Sequence, residues 1–355
     1  MLWGVLQFFA IRKGHLRKNQ VSWSNQMKKL LSFLVIICCL FSLVGVLTAC
    51  QDSDWENGNL KIVTTIFPEY DWTLNVLGDH AESVNIKNLL NSGIDLHSYQ
   101  PSVADITYIA TCDLFIYVGG ESDKWVENAL KKATNENMVV IKLLDVIGDS
   151  ALDEEHKEGM QGEEKDHDHD DEDESDEHVW LSLKRAKTVV KAIETALEKL
   201  DADNAADYAA NAANYCQKLD ELDAKYQQVV ANGVNKTLIV ADRFPFRYLF
   251  ADYGLDYYAA FSGCSAESEA SFETIAFLAR KVDELQVKSI IKTDTGGDKI
   301  PQTIINNSKN KNLKILTLNS LQSVGVKEHA KVSYLEFMES NLEVLREATE
   351  STFIG

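Results

Sequence analysis

The sequence predicts an α/β protein built as two lobes joined by one long helix. Two series of short apolar, β-branched runs alternate with helical stretches, and a strandless stretch rich in Ala, Leu, Lys and Glu separates the series. Alternation of that kind calls for parallel sheets covered on both faces. Only four prolines occur in 355 residues, which fits compact packing with few long loops.

In the first series, residues 61–66 (KIVTTI) form a β-branched run expected to be a buried strand, followed by a helix over 71–77. A strand over 84–89 follows, then a helix over 101–110 with Ser102 as its cap. Residues 114–118 are a continuous apolar strand ending at Gly119-Gly120, residues 125–133 a helix and residues 138–143 a strand. Two helices follow over 183–200 and 205–230. In the second of them Tyr208, Tyr215, Leu219, Leu222 and Tyr226 fall near one face. The second series places strands at 237–241, 289–293 and 314–318, with an apolar run at 257–261 and helices over 246–253, 272–285, 300–308 and 334–349. The expected boundaries are 50–202 for the first lobe, 203–231 for the linking helix and 232–355 for the second lobe.

Between the two series lies the most unusual composition in the chain. Residues 153–177 carry fifteen Asp and Glu against two Lys, a net of about −13 out of −20 for the whole protein. Such a segment buries no core and is expected to be a mobile, solvated tether. Its carboxylates, with His156, His167 and His169, also suit capture of divalent cations. A plain acidic linker with incidental histidines is the competing reading. Net acidity and the lack of a basic patch argue against nucleic acid as a partner.

At the N-terminus, Met27-Lys28-Lys29 opens a charged region, an apolar run follows from Leu30 to Leu47, and small residues precede Cys50. This is a signal-peptide pattern. The Leu47-Thr48-Ala49-Cys50 ending resembles a bacterial lipoprotein signal, in which Cys50 becomes the lipidated first residue; a membrane-spanning anchor is the alternative. Met27 is the expected start, with residues 1–26 an over-extended reading frame. After Cys50 only Cys112, Cys216 and Cys264 remain, an odd number at wide spacing that does not read as a disulfide framework or a zinc ribbon.

Five stretches, in order, carry a more specific resemblance: Val63-Thr64-Thr65-Ile66-Phe67-Pro68-Glu69-Tyr70 with Gly78-Asp79 behind it; Gly93-Ile94-Asp95-Leu96-His97-Ser98-Tyr99-Gln100-Pro101-Ser102; the acidic run into Glu177-His178-Val179-Trp180-Leu181; Tyr248 to Leu255, ending Asp252-Tyr253-Gly254-Leu255; and the segment from Ser333 to Leu342. Together they resemble the zinc- and manganese-binding solute-binding lipoproteins of bacterial ABC importers, over about residues 47 to 349. The resemblance implies two Rossmann-like lobes with parallel sheets, a rigid linking helix and a metal site in the interlobe cleft. It also implies an extracytoplasmic, lipid-anchored, monomeric protein without enzymatic activity that serves a membrane permease.

By position, the resemblance makes His97 the first ligand and His178 the second, with Asp176 and Glu177 as supporting groups. The family's third ligand is a histidine at the position held here by Arg243, and an arginine stays charged and cannot ligate a cation. Asp242 is a substitute; the competing readings pair Asp242 with Arg243, or join Arg243 to a carboxylate across the lobes. Asp294, after the strand at 289–293, occupies the fourth position, with a turn role as its alternative. Cys264 and Glu267 lie on a loop that is a further source of ligands. Trp180 reads as core packing. Zinc is the expected ion, with manganese as the alternative. An envelope metal buffer or adhesin of the same fold, or a secreted metallohydrolase, are the other functional classes. The absence of His-Glu-x-x-His weighs against the hydrolase.

Overall fold

The computed structural model describes Trp55 and residues 59–91, 93–161, 175–265, 269–325 and 331–350. The signal segment, Cys50, His167, His169 and Glu267 lie outside the described residues. Among the described residues no helix is long and apolar enough to cross a membrane.

Two four-stranded sheets form, and every pairing is parallel. The first contains β1 (Lys61–Thr64), β2 (Asn85–Asn88), β3 (Leu114–Tyr117) and β4 (Val139–Lys142) in the order β2-β1-β3-β4. The second contains β5 (Thr237–Phe244), β6 (Asp256–Ser262), β7 (Ser289–Thr293) and β8 (Lys314–Leu318) in the order β6-β5-β7-β8. The α/β class and the two parallel lobes are therefore as the sequence predicts. The interior strands are apolar because both their faces are covered: Ile62, Val63, Leu114, Phe115, Ile116, Ile239, Val240 and Ile291 are all buried. In each sheet the strand order reverses about the central pair, and loops leaving the carboxyl ends of the strands on either side open a crevice suited to a ligand.

The linking helix runs from Ala205 to Asn232, 28 residues or about 42 Å at 1.5 Å per residue. Its predicted aromatic and leucine face is buried throughout. Tyr215 Oη donates to Asp71 Oδ2 at 3.1 Å, and Asn211 Nδ2 donates to the Val76 carbonyl at 3.1 Å, both in the helix Phe67–Leu77. Farther along, Tyr226 Oη donates to the Met338 carbonyl at 2.6 Å, in the closing helix Tyr334–Ala348. One helix is thus bolted to packing elements of the chain at two points along its length.

Two local differences from the sequence reading bear on the site. The first helix starts at Phe67 rather than 71, because the Glu69 carboxylate accepts from the Thr65 and Ile66 amides at 2.8 and 3.2 Å, and Pro68 suits a first turn. Strand β5 continues past 241 to Phe244, with a register shift against β6 between Val240 and Arg243. A shift of that kind re-aims side chains, and Asp242 and Arg243 sit within it.

The expectation that 153–177 hangs as a free tether fails at both described ends. Residues 153–161 form a strap that reaches the edge of the second sheet. The Gln161 amide donates to the Ala260 carbonyl at 2.8 Å, Arg247 pairs with Glu155 at 3.1 Å, Lys157 pairs with Asp256, and Met160 is buried. At Gly159, whose φ is +86°, an added Cβ would lie 2.1 Å from the Phe277 ring, so only glycine fits there. The return leg closes on the outgoing one: Ser175 bridges Asp153, and the Asp176 amide donates to the Leu152 carbonyl at 2.7 Å. Composition misled here because several charged groups at these ends, Glu154, Glu155 and Lys157 among them, have specific partners.

Candidate metal centre

His97 lies on a 3-10 turn, Leu96–Ser98, after β2; the Asp95 carboxylate caps that turn by accepting from the His97 amide at 3.0 Å. Its Nδ1 lies 2.6 Å from Ser122 Oγ and 3.6 Å from Glu177 Oε2. Ser122 is presented by the turn after β3, where Gly119 and Gly120 take positive φ. The Ser122 amide donates to Glu177 Oε1 at 2.8 Å, so the hydroxyl and the carboxylate behind His97 are fixed together.

His178 is fully buried at the start of the turn Val179–Leu181. Asp176 Oδ1 accepts from the His178 amide at 2.8 Å and lies 3.0 Å from its Nδ1. Each imidazole therefore has its Nδ1 side occupied, which orients Nε2 towards the cleft; this is the arrangement seen when histidine ligates a metal through one nitrogen and is held through the other. The two Nε2 atoms lie 3.3 Å apart, and the Gln322 Nε2 sits 2.9 Å from each. With both rings neutral and protonated on Nδ1, the amide's two hydrogens serve both lone pairs.

The electrostatics differ between the rings. Burial, reinforced by the neighbouring His178, lowers the His97 pKa to about 4, which keeps that ring neutral. Burial also acts to lower His178, but the hydrogen-bonded Asp176 and the nearby Glu177 outweigh it and hold its pKa above the ordinary value. Glu177 is itself raised, chiefly by burial. Behind it Asp123 is pushed to about 7 and Glu69 to about 8, in both cases first by burial. A group of buried carboxylates thus backs the two imidazoles.

The structure brings His97 and His178 together with Cys264, their potential ligand atoms all within 4.8 Å of one another. It places Asp242 and Asp294 in other bonds. Asp242 Oδ2 accepts from the Thr293 amide and hydroxyl at 3.0 and 2.7 Å, tying β5 to β7. Asp294 Oδ1 accepts from the Ser320 amide and hydroxyl at 2.7 and 2.9 Å. Arg243 reaches across to Asp95 Oδ2 at 2.9 Å. Of the readings open for Arg243, its side chain takes the carboxylate across the lobes, while its amide donates to Asp242 Oδ1 at 2.9 Å. His156 is exposed on the strap and is not among the three clustered residues.

Gln322 is the residue that sequence reasoning missed. It is 3% exposed, in the turn after β8, next to Leu321, whose φ of 56° is unusual for a non-glycine residue. Several side chains hold that turn: Asp294 through Ser320, Trp180 Nε1 donating to the Ser320 carbonyl at 2.8 Å, and Asn319 Oδ1 accepting from the Leu321 amide at 2.8 Å. Trp180 is core packing, as expected, and also buttresses the site. No motif flags a glutamine in such a loop.

Comparison with known proteins agrees with this architecture. The sequence family described as "Zinc-uptake complex component A periplasmic" matches residues 62–348. The zinc-binding lipoprotein AdcA of Streptococcus pneumoniae is 33% identical over 329 residues, which cover 91% of this chain and 62% of that protein. The chain thus spans less than two thirds of the length of that relative. The high-affinity zinc uptake system protein ZnuA of Bacillus subtilis is 30% identical over 335 residues, covering 91% of this chain and 98% of its own. The crystal structure of the Zn(II)-bound ZnuA-like domain of Streptococcus pneumoniae AdcA superposes with a TM-score of 0.65 at 29% identity, covering 83% of this chain and 100% of that domain.

Proposed function

The chain belongs to the zinc-uptake complex component A periplasmic family, and from that premise we propose that it captures zinc outside the cytoplasm and hands it to an ABC-type permease. The observation that carries this reading is the convergence of His97 and His178 Nε2, 3.3 Å apart in a buried cleft, each ring held on its far side. Neutral imidazole nitrogens are zinc ligands, and the carboxylates beside them compensate the ion's charge. Zinc entry displaces the Gln322 amide hydrogens from the two lone pairs and releases any proton that His178 carries.

Lipidation at Cys50 anchors the protein to the cell membrane in this reading. The acidic segment 162–174, with His167 and His169, concentrates cations near the cleft by long-range attraction that salt weakens. Loaded protein docks on the permease as a monomer. Because the helix Ala205–Asn232 is bonded to the helices Phe67–Leu77 and Tyr334–Ala348, release proceeds through small shifts of the loops carrying the ligands rather than a wide opening.

Deleting the gene is expected to stop growth in zinc-depleted medium, with rescue by added zinc or by the wild-type chain but not by His178→Ala. Equal growth of the deletion strain and its parent under zinc depletion would contradict the importer role.

A further inference from the structure

We propose that Cys264 supplies a thiolate to the bound ion, so that the cargo site is a two-histidine, one-cysteine site. The inference rests on the zinc-capture reading above and specifies its third ligand.

The two Nε2 atoms are 3.3 Å apart. A tetrahedral ion with metal–nitrogen bonds of about 2.0 Å has an edge of roughly 3.3 Å, so the imidazoles already stand at coordination distance. Cys264 Sγ lies within 4.8 Å of a ring nitrogen of each histidine. A metal–sulfur bond of about 2.3 Å requires nitrogen–sulfur separations of roughly 3.5 Å, so closure of at most about 1.3 Å brings the sulfur to that distance. Gly263 lets the turn approach this closely: a Cβ there would lie 2.9 Å from His178 Cε1 and 2.9 Å from the Phe244 carbonyl oxygen. The strap holds the same turn, since the Cys264 amide donates to Glu154 Oε1 at 3.3 Å.

The residues nearest the expected third-ligand position are committed elsewhere. Arg243 binds Asp95 and Asp242 binds Thr293. A second observation points to a cation. Glu177 Oε2 is buried and accepts no hydrogen bond among the described residues, yet lies 3.6 Å from His97 Nδ1. A carboxylate oxygen left in that state is stabilised when positive charge enters the site beside it.

The step is a ligand exchange: the Cys264 S–H bond breaks, its proton leaves to solvent, and the sulfur lone pair forms a bond to the divalent ion. A thiolate selects zinc, cobalt or cadmium over manganese, because manganese prefers oxygen donors. Loss of the thiol by oxidation removes a ligand and weakens capture.

Cobalt(II) titrated into the purified full chain is the test. Wild type is expected to show the near-ultraviolet sulfur-to-cobalt charge-transfer band. Cys264→Ser is expected to lose it while keeping the wild-type melting profile, with zinc affinity falling about 10- to 100-fold and preference over manganese narrowing. Cys112→Ser and Cys216→Ser, at buried positions outside this cluster, should keep the band. Cobalt binding without a thiolate band, together with unchanged zinc affinity in Cys264→Ser, would overturn the cysteine assignment and leave zinc capture standing. Failure of wild type to bind either ion would overturn both.

Discussion

On the first-lobe side of the cleft, each imidazole is fixed through its far nitrogen: His97 by Ser122 and Glu177, His178 by Asp176, with Asp123 and Glu69 buried behind. On the second-lobe side, the residues that position would nominate are spent on architecture. Asp242 ties β5 to β7, Asp294 holds the Gln322 turn, and Arg243 latches the lobes through Asp95. What the second lobe offers the imidazoles is an amide and a thiol, from Gln322 and Cys264. The first lobe therefore presents two preorganised imidazoles, while the second lobe carries the residues that depart from the family pattern.

Removing all of 153–177 should have the largest effect. It takes away the strap together with Asp176 and Glu177, so zinc affinity should fall by more than about 100-fold, beyond the 10- to 100-fold typical for one outer group. Removing only 162–174 should leave affinity within about threefold, or ~0.7 kcal/mol, and reduce uptake only when zinc is scarce. Calorimetry on the two deletions measures both; equal affinities would show that the docked ends contribute nothing.

This contrast also shows where the sequence was legible. His97 and His178 were readable because each sits in a local motif: Asp95 caps the turn that carries His97, and Asp176 holds the His178 ring. The lobes were readable because buried parallel strands are apolar runs that survive without an alignment. The second-lobe half was not, because the placement of Asp242, Cys264 and Gln322 depends on a register shift within β5, a close approach at Gly263 and a strained turn at Leu321, none of which has a periodic signature. The acidic segment was half legible: its charge announced solvation, but Gly159 against Phe277 and Gln161 against Ala260 are contacts that only tertiary structure supplies.

Next in size, Glu177→Gln should weaken zinc binding about 10- to 100-fold by removing the charge beside His97. A change below threefold would reduce Glu177 to a packing group. By contrast, Asp242→Asn should leave zinc affinity within about threefold, ~0.7 kcal/mol, while lowering thermal stability by about 1–3 kcal/mol through the lost charge-assisted bonds to Thr293. A large affinity loss with unchanged stability would restore Asp242 as a ligand.

The last effect concerns pH and stability. Burial, with Asp123 nearby, raises Glu69 from 4.5 to about 8, so across that window the folded chain holds a proton that the unfolded chain has lost. Stability from this group is greatest at the acid end and falls as pH rises through the window, by at most about 1.4 kcal/mol per pH unit. Denaturant melts of Glu69→Gln should therefore lose stability less steeply than wild type between about pH 5 and pH 8. Parallel curves for the two proteins would remove Glu69 from the buried acidic group.

The most direct test of the central claim is a competitive zinc titration of the purified chain lacking 162–174, with and without His97→Ala and His178→Ala. One tight site in the parent, weakened more than about 100-fold by either substitution, is the predicted result. Tight binding that survives both substitutions would place zinc elsewhere in the molecule and contradict the account.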